Sequence, residues 1–242
     1  MSRRKFAGKT DIGLKRKNNE DAFFISPDQL FCLAADGIGG AAAGAVASKI
    51  FAESTIETFS DISNRSGKEI RHRVQSAFRL ANANILEHVN QNPDHQGMGS
   101  TAELLAFSDD GFIVGHIGDS RTYCLRNQQL EQLTRDHTIV QQQLEAGLIS
   151  RERIKQHPLR NVIFRSLGQA GDIEIDMLEG NALSEDLFLL CSDGLTDMVP
   201  DEQIRDILCT DVEIEDKVEN LIKAAKSAGG NDNITVVLAA VY

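Results

Sequence analysis

The sequence predicts an antiparallel α+β protein built from layers of sheet and helix. Short β-rich runs joined by turns outnumber the helical stretches, and two long helical stretches stand together between early strands. Strands and helices do not alternate regularly, as they would in a doubly wound α/β fold. No internal repeat, low-complexity tract or Pro-rich linker divides the 242 residues, so we expect one compact domain over 1–242.

The strands are predicted from apolar and β-branched runs bounded by turn residues. The runs lie at about 21–26, 30–35, 101–107, 111–117, 121–126, 173–178, 186–191 and 234–241.

Helices are predicted where the apolar residues recur every three or four positions. The clearest stripe lies in 68–91 and contains Ile70, Val74, Ala77, Phe78, Ala81, Ile85 and Val89. A further helix is expected over about 44–59, and another over 214–228, which Gly229 and Gly230 would end. Two short helical segments are expected within 136–156, and Asp201 is expected to cap a helix over 201–209.

Composition excludes several classes of protein. The net charge of -11 argues against a nucleic-acid-binding surface. The apolar runs are too short to span a bilayer, and the basic N-terminus has no apolar segment after it, so neither a membrane span nor a secretory signal is expected. The four cysteines form no CxxC pair, which disfavours a disulfide framework or a zinc site. We therefore expect a cytoplasmic protein.

Five acidic segments are the candidate sites of chemistry. They are Asn18 to Asp21, Asp36 to Gly40, Gly118 to Arg121, Ser192 to Gly194 and Asn231 to Asn233. Four of the five adjoin a predicted apolar strand, and strand ends can bring distant carboxylates together. Crowded carboxylates repel one another unless a cation neutralises them, and Mg²⁺ or Mn²⁺ prefers such oxygen ligands. Taken singly, each Asp-Gly segment is better explained as a turn. Five together favour a metal site.

Seven segments, in this order, resemble the PPM (PP2C) family of metal-dependent protein phosphatases in its compact bacterial form. They are Thr10 to Asp21, Ala34 to Gly40, Met98 to Thr101, Gly118 to Arg121, Leu133 to Thr138, Cys191 to Leu195 and Gly230 to Thr235. The resemblance extends over nearly the whole chain, from Gly8 to Tyr242. It implies a four-layer α-β-β-α sandwich of two antiparallel sheets flanked by helix pairs, with the metal ions at one end between the sheets.

The resemblance also implies the ligands of a centre of two Mn²⁺ or Mg²⁺ ions. Asp36 would bridge the two ions, and the carbonyl of Gly37 would contribute to one of them. Asp193 and Asp232 would complete the shell of one ion, with Glu20 or Asp21 near the other; which of these two binds directly stays open. Asp119 would share a third, weaker ion with Asp193, although a turn carboxylate is the simpler alternative for it.

The implied reaction is hydrolysis of phosphoserine and phosphothreonine in proteins by a metal-activated water, without a phosphoenzyme intermediate. Arg16, four residues before Glu20, is placed by the motif to hold the phosphate; otherwise it belongs to an exposed basic run with Lys15 and Lys17. The expected partners are phosphorylated proteins, in opposition to a Ser/Thr kinase, and a monomer is expected.

One position departs from some family members, which carry a histidine directly after the Asp-Gly of the second segment as a proposed general acid. Ile38 stands there instead, so protonation of the leaving group is unassigned, and a metal-bound water is the favoured candidate. His116 and His137 are the nearest histidines in the motifs. Both are predicted to be structural.

Residues of about 136–165 resemble the family's flap, a segment beside the site. Its basic residues would dock phosphorylated substrates or form a solvated helix face: Arg151, Arg153, Lys155, Arg160 and Arg165. Haloacid-dehalogenase and P-loop chemistry are disfavoured, since neither DxDx[TV] nor GxxxxGK[ST] occurs. The remaining alternative is a non-catalytic scaffold of the same fold that binds phosphoproteins.

Overall fold

The computed structural model describes residues 3–40, 43–109, 111–154 and 156–242, without the side chains at 151 and 152. Two five-stranded antiparallel sheets dominate the described chain. The first sheet has the strand order β1-β12-β11-β8-β9. Its strands, in chain order, are β1 (Arg4–Asp11), β8 (Arg121–Arg126), β9 (Gln129–Gln132), β11 (Leu187–Cys191) and β12 (Ile234–Val241).

The second sheet has the order β10-β7-β6-β3-β2. It consists of β2 (Ala22–Ile25), β3 (Phe31–Ala35), β6 (Ala102–Phe107), β7 (Phe112–Ile117) and β10 (Asp176–Gly180). A short pair, β4 (Gly37–Ile38) and β5 (Gly99–Ser100), continues from β3 and leads into β6. This pair brings Gly37 opposite Ser100, at the end of the second sheet.

The helices fall into two groups. Two long helices, α1 (Ala43–Phe59) and α2 (Gly67–Gln91), cover the second sheet, and a 3₁₀ turn over Pro93–His95 follows α2. The first sheet is covered by α5 (Asp193–Thr196), α6 (Asp201–Leu208) and α7 (Ile214–Ser227). The short helices α3 (Ile139–Glu145) and α4 (Arg151–Ile154) lie within the flap segment.

Three apolar cores separate four layers. One core lies between α1, α2 and the second sheet, and includes Phe51, Phe78 and Leu104. Another joins the first sheet to α5, α6 and α7. The third fills the space between the two sheets, where Phe107 and Phe188 meet edge to face. The α+β class and the four-layer sandwich are therefore confirmed.

Most predicted elements occur within a few residues of their expected bounds. The strand β10 begins at Asp176, later than expected. The prediction that Asp201 caps α6 was wrong: Asp201 is the first helical residue, Pro200 occupies the cap, and the Asp201 carboxylate accepts a hydrogen bond from Tyr123 (3.2 Å).

The strand β1 was missed altogether. It has only two buried residues, Phe6 and Ala7, so its sequence lacks the apolar run that marks a strand. Eight residue pairs with β12 hold it in the sheet, and Lys5 and Lys9 form ion pairs with Glu213, Glu215 and Glu219 in or next to α7. These partners lie more than 200 residues away in the sequence.

Among the described residues, no helix is both long enough and apolar enough to cross a membrane.

Candidate active site

The five acidic segments meet at one end of the sandwich, around a cavity of about 510 Å³. Seven of the eight predicted site residues line this cavity: Arg16, Glu20, Asp36, Gly37, Asp119, Asp193 and Asp232. The eighth, Asp21, is half-buried and does not line the cavity. The opposite wall is formed by Asn161, Val162, Ile163 and Ser166 of the flap and the residues after it.

The backbone around Asp36 is fixed from two directions. The Asp36 N–H donates to Thr101 Oγ1 (2.8 Å), and its carbonyl accepts from the Thr101 N–H (2.9 Å). Gly37 lies between Glu20 and the first turn of α1, where a β-carbon would come within 2.1 Å of the Gly44 carbonyl oxygen. Only glycine fits at position 37. The Asp36-Gly37 pair therefore forms a turn and also allows the backbone to pass close to the first turn of α1.

Glu20 and Asp21 point to different places. A β-carbon on Gly44 would lie 2.1 Å from Glu20 Oε2 and 2.8 Å from the Gly37 carbonyl oxygen, so these two oxygens share one neighbourhood at the start of α1. Asp21 instead accepts hydrogen bonds through Oδ2 from Ser192 (2.7 Å) and Thr235 (2.6 Å). Glu20 faces the cavity beside Gly37, and Asp21 lies deeper, toward the first sheet.

Asp232 and Arg16 form an ion pair at the rim of the cavity. Arg16 Nη2 donates to Asp232 Oδ2 (2.6 Å), and the arginine side chain remains 52% exposed. Asn233 holds this part of the site to the N-terminal loop, because its side chain accepts from the Glu20 N–H (2.8 Å) and donates to the carbonyls of Ile12 and Asn18.

Burial, and then crowding by other carboxylates, raises the pKa values of four aspartates of the cluster. Burial raises the pKa of Asp36 well above its usual range, and the negative charges of Asp21, Asp193, Asp119 and Asp232 raise it further. Burial and nearby carboxylates, Asp119 first, likewise raise the pKa of Asp193 well above normal. The pKa of Asp21 is raised to about 6 and that of Asp119 to about 7, in both cases mainly by burial. The cluster therefore carries repulsion that a cation would relieve.

The donor chemistry of the site fits hard divalent cations. Asp21 Oδ1 and Asp193 Oδ1 are buried acceptors with no hydrogen-bond partner among the described residues. Every candidate ligand offers oxygen, as Mg²⁺ and Mn²⁺ prefer. Across the described part of the chain, however, no three His, Cys, Asp or Glu side chains are arranged as a closed metal cluster. The Arg16–Asp232 pair would have to open for Asp232 Oδ2 to bind an ion.

The two motif histidines are buried away from the cavity. His116 is fully buried; its Nδ1 contacts Glu103 and its Nε2 lies 2.8 Å from the Arg135 carbonyl oxygen. His137 is 3% exposed, and its Nδ1 accepts the Gly118 N–H (3.1 Å). Neither lines the cavity, so the geometry supports structural roles for both.

The burial of His137 leads to a pH prediction. Burial, together with the neighbouring His116, lowers the pKa of His137 from 6.5 to about 4. Between these values the unfolded chain binds a proton at this position that the folded protein does not, so the free energy of unfolding falls as the pH decreases. We expect His137→Gln to lose less stability than the wild type between pH 6.5 and 4.5 in urea unfolding. Parallel pH curves for the two proteins would contradict this assignment.

The flap contains fewer available cations than its sequence suggests. Arg165 is paired with Glu174 (2.5 Å) and Asp176 (3.1 Å), so its charge is already partly neutralised. Arg160 lines a neighbouring cavity of about 500 Å³ that shares Asp119 and Asp193 with the first, and Arg153 is exposed. The side chain of Arg151 and all of Lys155 lie outside the described residues. Docking by this segment stays a prediction that rests mainly on Arg160.

Four uncharged residues that orient the site were not assigned roles from the sequence. They are Thr101, Ser192, Asn233 and Thr235. Thr101 binds the backbone of Asp36, Ser192 and Thr235 bind the carboxylate of Asp21, and Asn233 binds the backbone of Glu20. Each lies within a motif segment or at its end, next to or near an acidic residue. Their sequence signal was a polar residue near an acidic residue at a strand end, and it could have identified them as supports of the site.

Comparison with known proteins agrees with this geometry. The protein phosphatase 2C family matches residues 14–238. Protein phosphatase PhpP of Streptococcus pneumoniae is 38% identical over 232 residues, which are 95% of this chain and 94% of that protein. The solved serine/threonine phosphatase of S. agalactiae has a TM-score of 0.93 at 33% identity, with 99% of this chain and 100% of that chain covered.

A second solved structure is the catalytic domain of the serine/threonine protein phosphatase PstP in complex with two manganese ions. It has a TM-score of 0.88 at 36% identity, and 98% of each chain is covered. A two-sheet sandwich with an acidic cavity at one end, matched over almost its whole length, defines the class: the chain belongs to the protein phosphatase 2C (PPM) family. Within that family it is a protein serine/threonine phosphatase of the bacterial type.

Proposed function

We propose that this enzyme hydrolyses phosphoserine and phosphothreonine in proteins at the cavity between the two sheets, with a water molecule as the nucleophile. The observation that carries the proposal is the meeting of five distant acidic segments around one cavity, with Arg16 at its rim. No side chain of the chain acts as the nucleophile, so no covalent phosphoenzyme forms.

The proposed cofactor is a pair of Mn²⁺ or Mg²⁺ ions, with a third, weaker ion beside them. Asp36, Asp193, Asp232, the Gly37 carbonyl and Glu20 would hold the pair, with Asp21 behind them, and Asp119 with Asp193 would hold the third. When bound, the ions would neutralise the carboxylates and supply a nucleophilic water of lowered pKa. The PstP catalytic domain with its two manganese ions supports this choice.

The chain's own residues prepare the cavity for a phosphate dianion. Arg16 presents a planar guanidinium that can bind two phosphate oxygens once it leaves Asp232. Thr101 fixes the backbone of Asp36, and Ser192 and Thr235 hold the carboxylate of Asp21 from behind. Ile38, which also lines the cavity, offers no proton, so this position cannot protonate the leaving group, and we propose that a water molecule does so.

The proposal includes the cellular setting. The substrates are phosphorylated proteins whose phosphate is added by a Ser/Thr kinase, and the enzyme acts on them as a monomer in the cytoplasm. Residues 1–242 form one catalytic domain, with a flap over about 136–165. The family match over residues 14–238 supports this extent.

Phosphate release from a phosphothreonine peptide tests the function. We expect turnover with millimolar Mn²⁺ and none after chelation, and acid-quenched single turnovers with ³²P-labelled peptide should leave no label on the protein. Labelled protein would exclude direct attack by water. Peptide binding without turnover, with Mn²⁺ bound, would instead favour the non-catalytic scaffold.

Arg16→Ala should raise KM for the phosphopeptide by about tenfold or more, because a charge-assisted contact with the phosphate is lost. The Mn²⁺ affinity should not fall, since removal of the arginine frees Asp232. Steady-state kinetics and calorimetric Mn²⁺ titration measure the two effects. Lys15→Ala is the matched control, because it removes an exposed positive charge from the same basic run. An unchanged KM in Arg16→Ala would remove Arg16 from the substrate site.

A further inference from the structure

We propose that His137 is a positioning residue. It fixes the peptide group before Asp119, and it also joins the two ends of the flap. The effect on catalysis rests on the function proposed above. The hydrogen bonds that carry the inference do not depend on it.

His137 binds both polar backbone groups of Gly118. Its N–H donates to the Gly118 carbonyl (2.7 Å), and its Nδ1 accepts the Gly118 N–H (3.1 Å). Because a backbone N–H can only donate, Nδ1 must be the unprotonated nitrogen of the ring. The proton is therefore on Nε2, which lies 3.2 Å from Asp176 Oδ2. This neutral tautomer satisfies the contacts with Gly118 and Asp176, whereas Arg165 Nη1, 3.3 Å from Nε2, is a second donor that a protonated Nε2 does not accept.

Gly118 is confined on its other side as well. It has a φ of +111°, and a β-carbon at this position would lie 2.6 Å from Thr101 Cγ2. Thr101 is the residue that holds the backbone of Asp36. The turn before Asp119 thus lies between His137 and Thr101, the residue that holds Asp36. A shift of the His137 ring would therefore move Asp119 relative to Asp36.

The same histidine joins the two ends of the flap. Its carbonyl accepts the Phe164 N–H (2.9 Å), and next to it Thr138 forms a β-bridge with Ile163. The Ile139 N–H donates to the Val162 carbonyl (3.0 Å). Val162 and Ile163 line the cavity, so His137 determines the position of an acidic residue and of the wall opposite the acidic cluster.

The ring is supported from behind by His116. The centroids of the two rings lie 4.6 Å apart, and His116 is itself held by Glu103 and by the Arg135 carbonyl oxygen. Arg135 lies two residues before His137. The start of the flap is therefore attached to the buried face of the second sheet.

Two variants separate the contacts of Nδ1 from the bulk of the ring. In His137→Asn the side-chain oxygen can occupy the position of Nδ1 and accept the Gly118 N–H, whereas the contact with Asp176 is lost. In His137→Gln the amide reaches toward Asp176, and the Gly118 N–H loses its acceptor. Both variants lose the contact between the two imidazole rings, so a purely structural loss would affect them about equally.

Hydrogen exchange at the Gly118 amide, measured by NMR on the metal-free proteins, is the direct test. We expect exchange about tenfold faster than in the wild type in His137→Gln, and within about twofold of the wild type in His137→Asn. Equal exchange in His137→Gln and the wild type, or equal acceleration in both variants, would overturn the proposal.

The catalytic consequence is tested with Mn²⁺-loaded enzyme on the phosphothreonine peptide. We expect His137→Gln to lower kcat by about tenfold with a smaller change in KM, and His137→Asn to restore most of the loss. A wild-type kcat in His137→Gln, despite faster exchange at Gly118, would overturn the catalytic part. Inactivity of the wild type would count against the proposed function and leave the exchange result standing.

Discussion

Replacement of Asp36 by asparagine should lower Mn²⁺-dependent hydrolysis of a phosphothreonine peptide by about three orders of magnitude. Burial and the negative charges of Asp21, Asp193, Asp119 and Asp232 raise the pKa of Asp36. A carboxylate that is this close in charge to the others is a suitable ligand to be shared by two ions. The asparagine keeps the size of the side chain and removes its charge.

The same substitution should have the opposite effect on stability without metal. In the presence of chelator, Asp36→Asn should unfold at a higher temperature than the wild type, because one member of a mutually repelling cluster has lost its charge. With saturating Mn²⁺ the order should reverse, since binding to the folded state stabilises the wild type more. Calorimetry in both conditions measures this crossing.

Asp94→Asn is the matched control for both measurements, because Asp94 is exposed and lies in the 3₁₀ turn after α2. It should change neither activity nor the response to Mn²⁺. If Asp36→Asn kept full activity, or if it were less stable than the wild type in chelator, the assignment of Asp36 as the shared ligand would be wrong.

The second large effect is expected at the buried pair of Glu103 and His116. Both side chains are fully buried, and Glu103 also accepts a hydrogen bond from Thr122 of the other sheet. Burial alone would lower the pKa of His116, but the adjacent Glu103 raises it overall. Glu103→Ala should lower the free energy of unfolding by about 3–5 kcal/mol, because it leaves a buried histidine and a buried hydroxyl without their partner.

Urea unfolding of Glu103→Ala and Glu103→Gln measures this effect. The glutamine retains an acceptor for His116 and should be clearly more stable than the alanine variant. Glu131→Ala, an exposed change on the edge strand β9, should be nearly neutral. A loss below about 1 kcal/mol in Glu103→Ala would show that the pair contributes little to holding the two sheets together.

The sequence predicted best where local signals were strong. The helix expected over 68–91 is observed at Gly67–Gln91, since its apolar stripe is continuous and Ser66 caps its first turn through the Glu69 N–H. The strand β1 could not be found in this way, because its lysines pair with glutamates around α7 that local patterns do not connect to it.

In the candidate site, too, local features could be predicted and contacts between distant residues could not. The acidic residues were predictable because each stands at or near a strand end and within a motif. The different orientations of Glu20 and Asp21 were not, because they depend on Gly44, Ser192 and Thr235 from other parts of the chain. The pairing of Arg165 with Glu174 and Asp176 is likewise a tertiary effect that charge counting along the flap could not reveal.

Anomalous diffraction at the manganese absorption edge, from crystals grown with Mn²⁺, tests the central claim most directly. We predict two strong peaks in the cavity between the sheets, both in contact with Asp36. Asp193 and Asp232 should bind one ion, and the Gly37 carbonyl should bind the other. Manganese bound elsewhere, or a cavity without anomalous signal in a protein that still hydrolyses the phosphopeptide, would contradict the claim.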